Sequence, residues 1–154
     1  MKHRGHREHR DRRHELNALT HEIIGAAIKV HDELGPGLLE STYEACLEFE
    51  LTRRGHSVDR QREQPVIYDG LKIECGYRLD LLVDDAVILE VKAVSRILPI
   101  HQQQLLTYLR LSDRLVGLLV NFNVMRLVEG VSRVMNGYPN SVPSVSSVLD
   151  HPSG

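Results

Sequence analysis

The chain has 154 residues, enough for about one domain whose folding removes roughly two-thirds of the unfolded surface from water. Its 42% hydrophobic and 26% charged residues are ordinary for a globular protein, and a net charge of −2 excludes a strongly attractive field for nucleic acid over the whole molecule, so such a contact needs a local basic patch. No apolar run reaches the ~18 residues of a membrane span, no apolar leader opens the chain, and Cys46 and Cys75 lack metal or redox spacing, which together point to a cytoplasmic protein with no membrane partner.

Residues 1–15, MKHRGHREHRDRRHE, hold six Lys or Arg, four His and three acids with no core-forming residue after the first Met, and are expected to be a disordered, basic, His-rich tail. The spacing of His3, His6 and His9 could hold a metal and the arginines could touch a phosphate backbone, but a solvated tail accounts for the composition better. Leu19, Ile23, Ala26, Ala27, Val30 and Leu34 recur at helical spacing until Gly35-Pro36-Gly37 stops them. A second helix is expected from about Leu38 to Arg54, closed by Gly55, with Leu39, Tyr43, Cys46 and Leu47 as its buried stripe. Then SVDRQREQPVIYDG reads as a strand running into a Tyr-Asp-Gly turn, and LKIECGYRLDLLV as its return. Val87 to Val94 is a third strand, and Pro99 opens a helix to about Leu111 with Leu105, Leu106 and Leu109 inward. The apolar run LVGLLVNF predicts a strand buried on both faces, and residues 124–135 read as a further strand. Residues 138–154 are rich in Ser and Pro and are expected to be a loose tail, leaving an ordered domain over 16–137.

The stretch YRLDLLVDDAVILEVKA places Asp80, Glu90 and Lys92 where an amphipathic hairpin is otherwise clear. A three-residue loop, Asp84-Asp85-Ala86, makes opposed positions sum to 170: Asp80 faces Glu90, Arg78 faces Lys92, and Leu79, Leu81, Leu89 and Val91 share the other face. A two-residue loop would scatter the acids among the apolar set. Two opposed carboxylates repel unless something positive lies between them, and oxygen ligands of this kind suit Mg²⁺ or Mn²⁺. Lys92 is placed to assist a bound water and to balance charge on a phosphate. The competing reading is a solvated face of surface ion pairs.

On a helical wheel Glu40 lies within the apolar sector of the second helix, while Glu44 and Glu48 lie outside it; a buried acid needs a cation or donor close by. Glu50, also in that sector, sits near the helix end and is expected to reach solvent in a structural role. Gln104 and Tyr108, four apart on one helical face, are candidates to hold a phosphate or steady a ligand.

With these residues in hand, the sequence resembles the GxxExxY family, spelled here by Gly37-Leu38-Leu39-Glu40-Ser41-Thr42-Tyr43, over about residues 17–136. That family belongs to the PD-(D/E)xK phosphodiesterase superfamily. The resemblance implies an α/β, restriction-endonuclease-like core in which a mixed β-sheet is flanked by α-helices. It also implies a nuclease with Asp80, Glu90 and Glu40 as metal ligands for Mg²⁺ or Mn²⁺, and Lys92 and Gln104 beside the acids in catalysis. Tyr108 and Arg78 would contact substrate or support the ligands, and the partner would be nucleic acid, DNA or RNA. Leu79 stands where the superfamily's name has Pro. The alternative is a noncatalytic nucleic-acid-binding or protein-interaction module that keeps the fold.

Overall fold

The computed structural model describes residues 2–137. Helices α1 (Lys2–Leu34) and α2 (Glu40–Arg53) are joined at Gly35 and Gly37, whose φ angles of 70° and 102° lie in the left-handed region that a residue without Cβ enters freely. There follow β1 (Val58–Tyr68), β2 (Leu71–Val83), β3 (Val87–Lys92), α3 (Pro99–Leu111), β4 (Val116–Asn121) and β5 (Val131–Met135). The expected strand over 124–135 is thus a strand only at its end, after a single 3-10 turn at Leu127–Gly130.

The five strands lie in the order β1-β2-β3-β4-β5. All neighbours are antiparallel except β3 and β4, which are parallel and need the α3 crossover between them. On one face, α1 and α2 bring Ile23, Ala27, Val30, Tyr43, Leu47 and Leu51 onto Leu81, Val83, Leu89, Val91, Leu118 and Val120. On the other, α3 brings Leu105 and Leu109 onto Leu79, Leu82, Ile88 and Leu119. All six residues of β4 are buried, as expected of a strand covered on both sides.

Tyr43 anchors the α1–α2 turn: its ring stacks on Phe122 with centroids 4.4 Å apart, while its hydroxyl donates to the Gly35 carbonyl and accepts from the Leu38 N–H. Leu39, expected in the buried stripe, is exposed. Glu50, expected to reach solvent, is covered and ringed by Arg54, Lys29 and Arg53, which hold its carboxyl down at about 2.

The segment 1–15, expected to be disordered, is helical from Lys2. Composition judged it as a free chain. It instead continues a helix already nucleated by the core-packed turns from Leu16 onward, and propagation needs no second nucleus. The side chains of His3 and His6, and the expected loose tail 138–154, lie outside the described residues. Among the described residues, no helix is long and apolar enough to cross a membrane.

The α3 side of the sheet depends on Gly117, where a Cβ would come within 2.9 Å of the Leu105 side chain. Gly117→Ala is therefore expected to cost about 1–3 kcal/mol of stability by overpacking. Combined with Leu105→Ala it should cost less than the sum of the two, because the added methyl enters space the leucine vacates. Thermal unfolding of the four proteins checks this.

Candidate metal centre

The β2–β3 turn has Asp84 and Asp85 at φ of 52° and 54°, a conformation Asp tolerates better than most residues. The register that follows is the one expected from patterning: Val83 pairs with Val87, Leu82 with Ile88 and Leu81 with Leu89. There the ladder stops. The Asp80 carboxylate takes the place of a backbone acceptor, Oδ2 receiving the Val91 N–H at 2.8 Å.

The break coincides with an irregularity in β1. Arg60 pairs with Leu81 and Arg62 with Leu79, but Gln61, between them, has φ of 53°. Alternation fails across this point, so Leu79 joins Leu82 and Ile88 under α3 rather than sharing a face with Leu81, Leu89 and Val91 as expected. Arg78, expected to face Lys92, instead pairs with Gln64's neighbour Glu63 on β1, Nη2 donating at 3.2 Å from an exposed position.

Asp80 and Glu90 do come together. Glu90 is buried, and burial followed by the charge of Asp80 pushes its carboxyl up to about 9. Burial likewise raises Asp80, against the opposing pull of the Val91 N–H. Lys92 ends β3 beside Asn121 of β4, and its ammonium draws both acids downward without offsetting their burial. Tyr108, half-buried on α3, stacks on Tyr77 at 4.5 Å and is raised by burial and then by the charges of Glu90 and Asp80. Gln104, one turn earlier, is exposed.

The helix acids differ from expectation. Glu40 is exposed, and its Oε2 accepts from the Ala93 N–H at 3.1 Å, one residue beyond Lys92. Glu44, placed outside the apolar sector by the wheel, is buried and is the one that reaches Asp80: Gln61 Nε2 donates to Glu44 Oε1 at 2.8 Å and to Asp80 Oδ1 at 3.4 Å. Arg60 Nε also donates to Glu44, at 2.9 Å. The wheel failed because β1 lays these polar side chains over that flank of α2, which a single helix cannot foretell. Asn121 was also hidden: its Oδ1 accepts from the Val94 and Asn123 N–H groups and its Nδ2 donates to the Val94 carbonyl, fixing the chain just past Lys92. Its one sequence signal is a polar residue closing an apolar strand.

The donor set suits a hard cation. Glu90 Oε1 is buried with no hydrogen-bond partner, beside a second carboxylate that also resists ionisation, and an ion would satisfy both. Among the described residues no three His, Cys, Asp or Glu form a metal-holding group, so Asp80 and Glu90 are not joined by a third such side chain. A cavity of about 610 Å³ lies at the other end of these strands, against the β2–β3 turn and α1, where His56 bridges Asp84 and Glu22; Asp80, Glu90, Glu40 and Glu44 do not line it.

A family model described as the PD-(D/E)XK nuclease superfamily matches residues 17–134. No curated protein and no solved structure matches the chain.

The raised acid makes a prediction with a definite sign. Glu90 ionises at about 4.5 when unfolded and about 9 when folded, so the folded state holds the extra proton between those values. Its contribution to stability is complete below about 4.5 and is lost as pH rises toward 9. In chelator, stability should fall across this window with a slope of up to about 1.4 kcal/mol per pH unit. Glu90→Gln should flatten the slope, and Mn²⁺ should stabilise the wild type most at its alkaline end; melting curves against pH check both.

Proposed function

The chain belongs to the PD-(D/E)XK nuclease superfamily, and from that premise we propose that it is a Mg²⁺- or Mn²⁺-dependent nuclease hydrolysing phosphodiester bonds of DNA or RNA. Its five-stranded mixed sheet with flanking helices is the restriction-endonuclease-like α/β fold of that superfamily. The observation that carries the reading is the buried, unpartnered Glu90 oxygen next to Asp80, an arrangement costly in itself and relieved by a divalent ion. Gly37, Glu40 and Tyr43 support the finer placement in the GxxExxY family, with Tyr43 acting as the anchor of the turn rather than as a reacting group.

Asp80 and Glu90 hold the ion, and Glu40, on the Ala93 N–H, is placed to bind it through water or to fix the end of β3. A bound Mg²⁺ or Mn²⁺ supplies Lewis-acid polarisation of the phosphate and acidifies the attacking water. Lys92 orients that water and balances the negative charge that builds on the phosphoryl oxygens. Tyr108, within the electrostatic reach of Glu90, would meet a phosphate oxygen at the rim, and Gln104, exposed one turn away, the substrate beyond it. Arg78, bonded to Glu63 on the outer hairpin, is placed to contact the nucleic-acid backbone and not the ion.

The test separates the lysine from the acids. Asp80→Ala and Glu90→Ala remove ligands and should lower both metal affinity and cleavage. Lys92→Ala should spare metal affinity and cut the single-turnover rate by about a hundredfold, on the order of 3 kcal/mol. Cleavage at the wild-type rate by Lys92→Ala under saturating Mn²⁺ would remove the lysine from the mechanism. A wild type that binds nucleic acid but cuts none with either metal would establish the noncatalytic module instead.

A further inference from the structure

Among the described residues, five that are not glycine have a left-handed backbone, and four of them are aspartates in turns: Asp69, Asp84, Asp85 and Asp113. The fifth, Gln61, lies inside β1, at a residue type that gains nothing from the left-handed region. Strain kept within a strand calls for a compensating role, and the contacts supply one. The Gln61 carboxamide is shared between Glu44 Oε1 at 2.8 Å and Asp80 Oδ1 at 3.4 Å.

We propose that Gln61 is a positioning residue: its strained backbone carries a neutral two-proton donor between the Glu44 and Asp80 carboxylates and fixes Asp80 for the cation. This rests on the reading of Asp80 and Glu90 as cation ligands and adds to it a device on another strand. Neutrality is the essential property. The two hydrogens of one amide can satisfy an oxygen on each acid without cancelling the negative charge that attracts the ion, whereas Lys or Arg at the same place would occupy the position of the ion. Arg60, the neighbouring cation, is accordingly spent on Glu44 and Glu48. With Asp80 Oδ2 on the Val91 N–H and Oδ1 on Gln61, the carboxylate is held from two strands at once.

Two substitutions test this, each followed by the melting temperature in chelator and by calorimetric titration with Mn²⁺. Gln61→Gly relieves the backbone strain and deletes the amide, so the melting temperature should hold or rise while Mn²⁺ affinity falls about tenfold. Gln61→Lys should raise the melting temperature of the metal-free protein, by pairing with the acids, and reduce Mn²⁺ affinity further. A purely structural glutamine would give the reverse for Gln61→Gly, a lower melting temperature with unchanged affinity, and that result would overturn the positioning role. If the wild type itself bound no Mn²⁺, the cation reading would fall and this inference with it; if the wild type bound Mn²⁺ and both variants bound it equally well, only the positioning role would fall.

Discussion

Two carboxylates buried side by side cannot both carry their charge without a cation, and the geometry of the molecule is arranged around that conflict. Asp80 and Glu90 stand where β2 and β3 part, with burial raising both, the charge of Asp80 raising Glu90 further, and the hydrogen bond with Glu90 easing the ionisation of Asp80. Lys92 supplies one positive charge, but not enough to undo the burial. Without metal the conflict is relieved by the proton that Glu90 keeps, and a divalent ion, in the reading proposed above, would relieve it by replacing that proton.

The fold makes the conflict affordable by rigidity around it. Beyond the acids, β2 and β3 are covered by α1 and α2 on one face and by α3 on the other, so the strands that bear the acids cannot spread to relax the repulsion. The loop past Lys92 is tied by Asn121, and α2 reaches the end of β3 through Glu40. On the third side, β1 closes over Glu44 with Arg60 and Gln61. Every wall of the centre therefore comes from a different element. That is why residues far apart in the chain converge on a short stretch of β3.

Much of this was legible in the sequence where it followed from parity. The turn at Asp84, the register summing to 170, the neighbouring Asp80 and Glu90, and the α3 bounded by Pro99 and Leu111 all depend on local spacing, and the structure shows each. Leu79 and Arg78 were misplaced because the β2–β3 ladder stops at Leu81 and Leu89, beside the point where Gln61 of the neighbouring strand turns left-handed, and Glu44 because β1 covers its flank of α2. Nothing in a glutamine announces such a backbone. The helical state of residues 2–15 was hidden differently, since composition measures what a free segment would do and not what it does as the continuation of a packed helix.

The choice between a working site and a retained scaffold turns on what each acid does without an ion. In a scaffold, Glu50 shows how this chain keeps a covered acid for structure: three cations surround it and hold it far below its ordinary range. Glu44, also covered, accepts hydrogen bonds from Arg60 and Gln61. Glu90 is treated in the opposite way, buried beside another acid with one oxygen given no donor at all. The chain satisfies its other covered acids and leaves this one short where several elements meet, a contrast that the cation reading proposed above accounts for and a purely structural role for Glu90 does not.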